Sequence, residues 1–145
     1  MEGFVILAIK FLQSFNSNIV SLAYWHLLQC PSSLFFLLIS KISPGIEELV
    51  KKLKARNTDI YLISEGFRQM INHVASILGI PQENIFANQL LFGSSREFLG
   101  FDVNEPTSRS EGKVTAVQQI RKVKGYKALV MIGDGATDLE DFVRH

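Results

Sequence analysis

The 145-residue sequence predicts an α/β fold with a parallel sheet, and three observations carry that expectation. Two short, unbroken apolar runs, Ile60-Tyr61-Leu62-Ile63 and Ala128-Leu129-Val130-Met131-Ile132, have the length and composition of strands covered on both faces. Segments of helical period, with apolar residues three and four apart, flank these runs. Read in order from residue 41, the chain gives helix, strand, helix, hairpin, helix, strand and helix, the plan of a sheet with crossover helices.

Composition sets the bounds. The length suits one domain with a usable core. A content of 47% hydrophobic and 20% charged residues is that of a globular chain. A net charge of +1 supplies no basic field and argues against nucleic acid as a partner. Cys30 is the only cysteine, so no internal disulfide forms, and Phe36 rather than arginine stands six residues after it, against a cysteine-type phosphatase loop.

The first element is the least regular. Residues 11 to 40 contain no Asp, Glu, Lys or Arg, and the shift to charge-rich sequence near Ser40-Lys41 is the sharpest in the chain. A membrane span needs about 20 consecutive apolar residues, but Gln13, Ser14, Asn16, Ser17, Asn18, Gln29 and Pro31 divide the stretch. A secretory signal lacks its basic start and cleavage site here, and a transit peptide would be richer in arginine. Residues 1–40 are therefore an apolar leader with three readings open: a non-native segment, a membrane-associated one, or a targeting one.

From residue 41 the periodicity is regular. Ser43-Pro44 reads as N-cap and first helical residue, with Glu47 and Glu48 in the first turns. Ile46, Leu49, Val50 and Leu53 form the apolar stripe, basic residues from Lys51 to Arg56 crowd the C-terminal end, and Asn57 stops the helix. After the Ile60–Ile63 strand, Phe67, Met70, Ile71, Val74, Ile77 and Leu78 repeat at helical spacing up to Gly79. Residues 85–92 and 98–101 read as two strands joined through Gly93-Ser94-Ser95. Val114, Val117 and Ile120 mark the next helix, ended before Gly125; the Ala128–Ile132 strand follows, and a final helix should begin near Thr137.

Ligands of parallel sheets bind at the carboxyl ends of the strands, which points to Ser64 and Asp134. Asp134 stands between Gly133 and Gly135, whose freedom permits a tight turn, and its carboxylate suits a hard cation. Asp138, one helical turn on, is placed to support it; taken alone, the same residues read more simply as a plain turn and a first-turn aspartate. Ser64 precedes Gly66 and a helix, as either an anion site or an ordinary N-cap. Lys113 follows Gly112 at a helix start, where a cation gains nothing from the helix dipole, so it either meets an anion or is simply solvated. His26, His73 and His145 read as structural or surface residues.

Together, Leu62-Ile63-Ser64, Gly112-Lys113 and Gly133-Asp134-Gly135-Ala136-Thr137-Asp138 resemble the second, third and fourth motifs of the haloacid-dehalogenase-like hydrolases. Ser43 to Val50, Gly66 to Ile71, Asn84 to Asn88 and Met131 to Leu139 are similar in wording to the phosphoserine phosphatase family, its plant form especially. The resemblance spans residues 41 to 140 and implies a Rossmann-like core, partial over residues 41–145. It implies hydrolysis of phosphoserine to serine and phosphate, the last step of serine synthesis, through a phospho-aspartyl enzyme with Mg²⁺. By motif, Ser64 would hydrogen-bond the phosphate beside Glu65 and Gly66, Lys113 would neutralise charge, Asp134 would ligate Mg²⁺ and Asp138 would support it. A plastid or the cytoplasm is the implied compartment.

The departures from that family decide the expectation for activity. There is no aspartate before Asp59 and no carboxylate between Glu2 and Glu47, so the motif Asp-x-Asp-Ser-Thr, with its nucleophile, is absent. The helical cap that follows that motif is absent too, and the sequence stops at His145, before the family's closing strands. Glu65 and Glu111 stand where the family has glycines. The strand missing from the resemblance belongs between those ending at Ser64 and Asp134; Phe4 to Ile9 could fill the slot but brings no carboxylate. The expectation is a catalytically dead form. The alternative is a binding module that engages phosphate, an intact partner subunit as a homo- or heterodimer, or a membrane through residues 4–39.

Overall fold

The computed structural model describes residues 4–8, 42–95, 97–109 and 111–133. Strand β1 (Phe4–Ala8) is followed by helix α1 (Ile46–Ala55), strand β2 (Asp59–Phe67), helix α2 (Arg68–Leu78) and strand β3 (Ile85–Asn88). Strands β4 (Leu90–Phe92) and β5 (Phe98–Phe101), helix α3 (Gly112–Lys124) and strand β6 (Leu129–Ile132) complete the order. The main sheet runs β3-β2-β1-β6, with every neighbouring pair parallel.

The central slot is filled. β1 pairs with β2 from Phe4↔Asp59 to Ala8↔Ile63, and with β6 from Phe4↔Leu129 to Leu7↔Ile132. The run that the sequence offered as a crude filler thus joins β2 and β6, and neither is left as an inner edge at that position.

Strand alternation divides the core of β2 between two faces. Ile60 and Leu62 pack with Val50, Ile71, Val74, Ala75 and Leu78 of α1 and α2, while Tyr61 and Ile63 pack with Ala116, Val117 and Ile120 of α3. The long unbroken apolar strand is explained by this double cover. At the edge position β6 is less enclosed, and Val130 is 52% exposed although the sequence reads as a buried strand there.

Four local expectations change. Ser43-Pro44 does not cap α1: Gly45, at φ 88°, holds the N-cap position and Ile46 begins the helix. Pro44-Gly45 turns the chain instead, because the positive φ that the entry requires is open to glycine. Ile77 is 47% exposed, since Ile71, Val74, Ala75 and Leu78 already form the stripe that meets the sheet. Residues 85–92 are not one strand but break at Gln89, where β3 leaves the parallel sheet and β4 turns to pair antiparallel with β5. Finally, β2 continues through Ser64 to Phe67 rather than ending there.

The helix ends behave as the sequence suggests. Asn57, at φ 54°, and Gly79, at φ 62°, take the left-handed turns that stop α1 and α2. The Lys54 ammonium donates to the carbonyls of Leu78, at 2.9 Å, and Gly79, where a cation complements the C-terminal dipole of α2. No helix among the described residues is long and apolar enough to cross a membrane; residues 9–41, which carry most of the leader, and the helix expected near Thr137 lie outside the described residues.

Candidate functional site

The carboxyl edge of the sheet is shaped by unequal strand lengths. The β1–β2 register runs to Ala8↔Ile63, whereas β2 continues through Ser64, Glu65 and Gly66. The β2–β3 ladder is irregular over the same stretch, resuming at Phe67↔Asn88 after Ile63↔Phe86. Ser64 to Gly66 therefore lie past the regular ladder on both sides, at the carboxyl edge where open α/β sheets bind ligands.

Ser64 is 3% exposed, and its Oγ accepts a hydrogen bond from the Gly66 N–H at 3.0 Å. The hydroxyl is thus oriented by a turn two residues long rather than by capping α2, whose N-cap is Phe67 without a side-chain bond. The bond from Gly66 uses the oxygen and not the hydroxyl proton. A Cβ at Gly66 would sit 3.1 Å from Ser64 Oγ, a tight contact that the Ser64 side chain would have to ease by a few tenths of an ångström. Glu65 is exposed, so its carboxylate stands in solvent at this edge.

Lys113 stands at the start of α3, the end of that helix that lies toward the same edge of the sheet. It is the second residue of α3 and only 7% exposed, against the usual preference of lysine for the surface. α3 runs antiparallel to β2. Its start lies beside the Pro106–Ser108 turn, which meets the end of β3, and beyond its last residue Tyr126 donates to Asp59 at the start of β2. The Gly112 Cα sits so close to that turn that an added Cβ would lie 2.4 Å from the Pro106 oxygen. Glu111, at φ 61°, takes a left-handed conformation at the N-cap of α3, a geometry that glycine adopts freely.

Two links that residue spacing did not reveal hold this edge. Asn88, the last residue of β3, donates from Nδ2 to the Glu65 carbonyl at 2.7 Å and accepts at Oδ1 from Thr107 Oγ1 at 3.0 Å. Arg68 forms an ion pair with Glu105 at 2.6 Å and donates to the Ile85 carbonyl at 3.1 Å. Asn88 and Arg68 fall within the stretches that carry the resemblance, but only tertiary contact shows their partners.

At the opposite edge, Tyr126 is buried against Tyr61, with their hydroxyls 2.9 Å apart. Burial first, and then hydrogen bonds to Asp59 and Tyr61, raise the Tyr126 pKa well above its ordinary value. This cluster is far from the carboxyl edge and ties α3 to the start of β2.

Asp134 and Asp138 lie outside the described residues. Among the described residues no group of three or more His, Cys, Asp or Glu could hold a metal ion. β1, in the slot between β2 and β6, is Phe-Val-Ile-Leu-Ala and brings no carboxylate to this edge; a Mg²⁺ ion there would be held through Asp134 and Asp138, with water and a substrate phosphate completing its oxygen shell.

Comparison with known proteins gives a consistent result. Residues 23–140 match the family model of the haloacid dehalogenase-like hydrolases. Over 100 residues the chain is 78% identical to the chloroplastic phosphoserine phosphatase of Arabidopsis thaliana, covering 69% of this chain and 34% of that protein. It is 48% identical over 99 residues to phosphoserine phosphatase of Bos taurus, covering 68% and 44%. The chain thus spans between a third and a half of the length of these relatives. Among solved structures, a substrate-bound phosphoserine phosphatase complex superimposes with a TM-score of 0.70 at 18% identity, covering 99% of this chain and 83% of that one. A phosphoserine phosphohydrolase-like protein from Francisella tularensis gives 0.66 at 22%, covering 99% and 83%. At these identities the structural likeness concerns the fold.

Proposed function

This chain belongs to the haloacid dehalogenase-like hydrolases, and from that premise we propose that it keeps the phosphate-holding part of a phosphoserine phosphatase site without the means to hydrolyse phosphoserine. The observation that carries this reading is the occupant of the central strand. In the phosphoserine phosphatases that position ends in the attacking aspartate; here it is Phe4–Ala8, followed by Ile9 and Lys10. A carboxylate nucleophile and its neighbouring acid/base are missing together, and covalent catalysis of this type does not proceed without them.

What remains suits an oxyanion. The Ser64 hydroxyl, oriented by Gly66, would donate to a phosphoryl oxygen, and the Lys113 ammonium would balance its charge. Glu65 brings a negative charge to the same edge and weakens the attraction. The ligand class is a phosphomonoester, with phosphoserine the one that the relatives' names suggest. The high identity to a chloroplastic relative supports a plastid as the compartment.

The test pairs binding with turnover. Inorganic phosphate and phosphoserine titrated against the full chain should bind weakly and saturably, with affinity reduced about tenfold but still measurable in Lys113→Ala. The same protein with Mg²⁺ and phosphoserine should release no phosphate above a buffer control. Turnover that tracks the purified protein and disappears in Asp134→Asn overturns the inactive reading; absence of saturable phosphate binding overturns the anion site.

A further inference from the structure

We propose that Asn88 and Thr107 are positioning residues, forming one brace that sets the distance between the Ser64 and Lys113 arms of the anion site; this rests on the phosphate-binding reading above. The two arms lie on different elements, β2 and α3, with no backbone ladder between them. The path that joins them is continuous. Asn88 Nδ2 holds the Glu65 carbonyl at 2.7 Å, where the β2–β3 ladder is irregular, so a side-chain donor serves Glu65 there. Asn88 Oδ1 receives the Thr107 hydroxyl at 3.0 Å. Thr107, itself 3% exposed, presents its backbone to Gly112: a Cβ at Gly112 would lie 2.6 Å from Thr107 Cα. Lys113 is the next residue.

Each joint suits a fixed spacing. The Asn88 amide donates at one end and accepts at the other, so its orientation is determined by both partners. A buried threonine hydroxyl left without its acceptor is costly, which disfavours rotation away from Asn88. Contact at Gly112 is backbone against backbone, without a flexible side chain to absorb movement. A shift of the Pro106–Ser108 turn therefore moves the start of α3, and Lys113 with it, relative to Ser64.

Thr107→Val keeps the shape and removes the hydroxyl, and Thr107→Ser restores it; this pair is read in the full chain because Asn88→Ala risks misfolding. With inorganic phosphate as the probe, Thr107→Val should weaken binding by about three- to tenfold, the worth of one hydrogen bond, while Thr107→Ser stays near wild type. In a Lys113→Ala background Thr107→Val should cause no further loss, since the arm it positions is gone. Amide hydrogen exchange without ligand should quicken in Thr107→Val at Gly66 and in the first turn of α3 together, with α1 unchanged. Wild-type affinity in Thr107→Val, or the same fractional loss in both backgrounds, overturns the brace. A wild-type chain that binds no phosphate overturns the anion-site reading instead, and the exchange arm then decides the brace: quickening at both sites supports it, and quickening at one or neither refutes it.

Discussion

Replacing Gly112 by alanine would place a Cβ 2.4 Å from the Pro106 carbonyl oxygen, 2.6 Å from Thr107 Cα and 3.0 Å from the Thr107 carbonyl carbon. Ordinary carbon contacts begin at about 3.5 Å, so the Pro106–Ser108 turn must retreat by roughly 1 Å. All three atoms are backbone, and no rotamer change relieves them. Overpacking of this kind costs about 1–3 kcal/mol, and loss of the Thr107–Asn88 hydrogen bond adds about 1 kcal/mol. Alanine opposes this with a gain of at most about 1 kcal/mol in helix propensity. The clash wins, leaving a net destabilisation of about 1–3 kcal/mol. At roughly 3 °C per kcal/mol for a chain of this size, Tm should fall by about 3–10 °C. Thermal unfolding of the full chain followed by circular dichroism reads this directly. A Gly112→Ala protein that melts at or above the wild-type temperature refutes the close packing of α3 on the turn.

Three further outcomes are expected. Glu65→Gly should strengthen phosphate binding about two- to threefold at low salt and much less at high salt, because an exposed like charge is removed; unchanged affinity at both salt concentrations would place the carboxylate outside the site's reach. Ile6→Pro should cost about 3 kcal/mol or more, since Ile6 stands opposite both Tyr61 and Met131 in the middle of the sheet and proline cannot donate to a ladder; retained cooperative unfolding at the wild-type Tm would show that β1 is not the central strand. The raised Tyr126 pKa means that the folded chain holds that proton more tightly than the unfolded one, so its stabilising contribution is complete below pH ~10 and declines as pH rises above it. Unfolding followed against pH should show that decline in wild type and a smaller one in Tyr126→Phe; equal slopes would assign it to other groups.

Local rules made much of this protein legible in its sequence. Apolar runs of four or five residues marked β2 and β6, helical periodicity marked α1, α2 and α3, and Asn57, Gly79 and Gly125 marked where those helices stop. These features depend on neighbours along the chain, through the period of side-chain direction and the few residues that tolerate positive φ. The Ser64, Gly112-Lys113 and Gly133-Asp134 motifs were visible for the same reason, each being a short local pattern of a few adjacent residues. Tertiary structure decided what depends on long-range pairing. Whether Phe4–Ala8 enters the sheet rests on backbone bonds to residues more than fifty positions away, for which an apolar pentapeptide carries no address. That β2 runs past Ser64, and that residues 85–92 divide at Gln89, follows from where β3 stops pairing with β2 and β4 starts pairing with β5. Asn88 and Thr107 gain their role only when three elements converge, because a side-chain hydrogen bond is set by distance in space, which spacing along the chain does not encode.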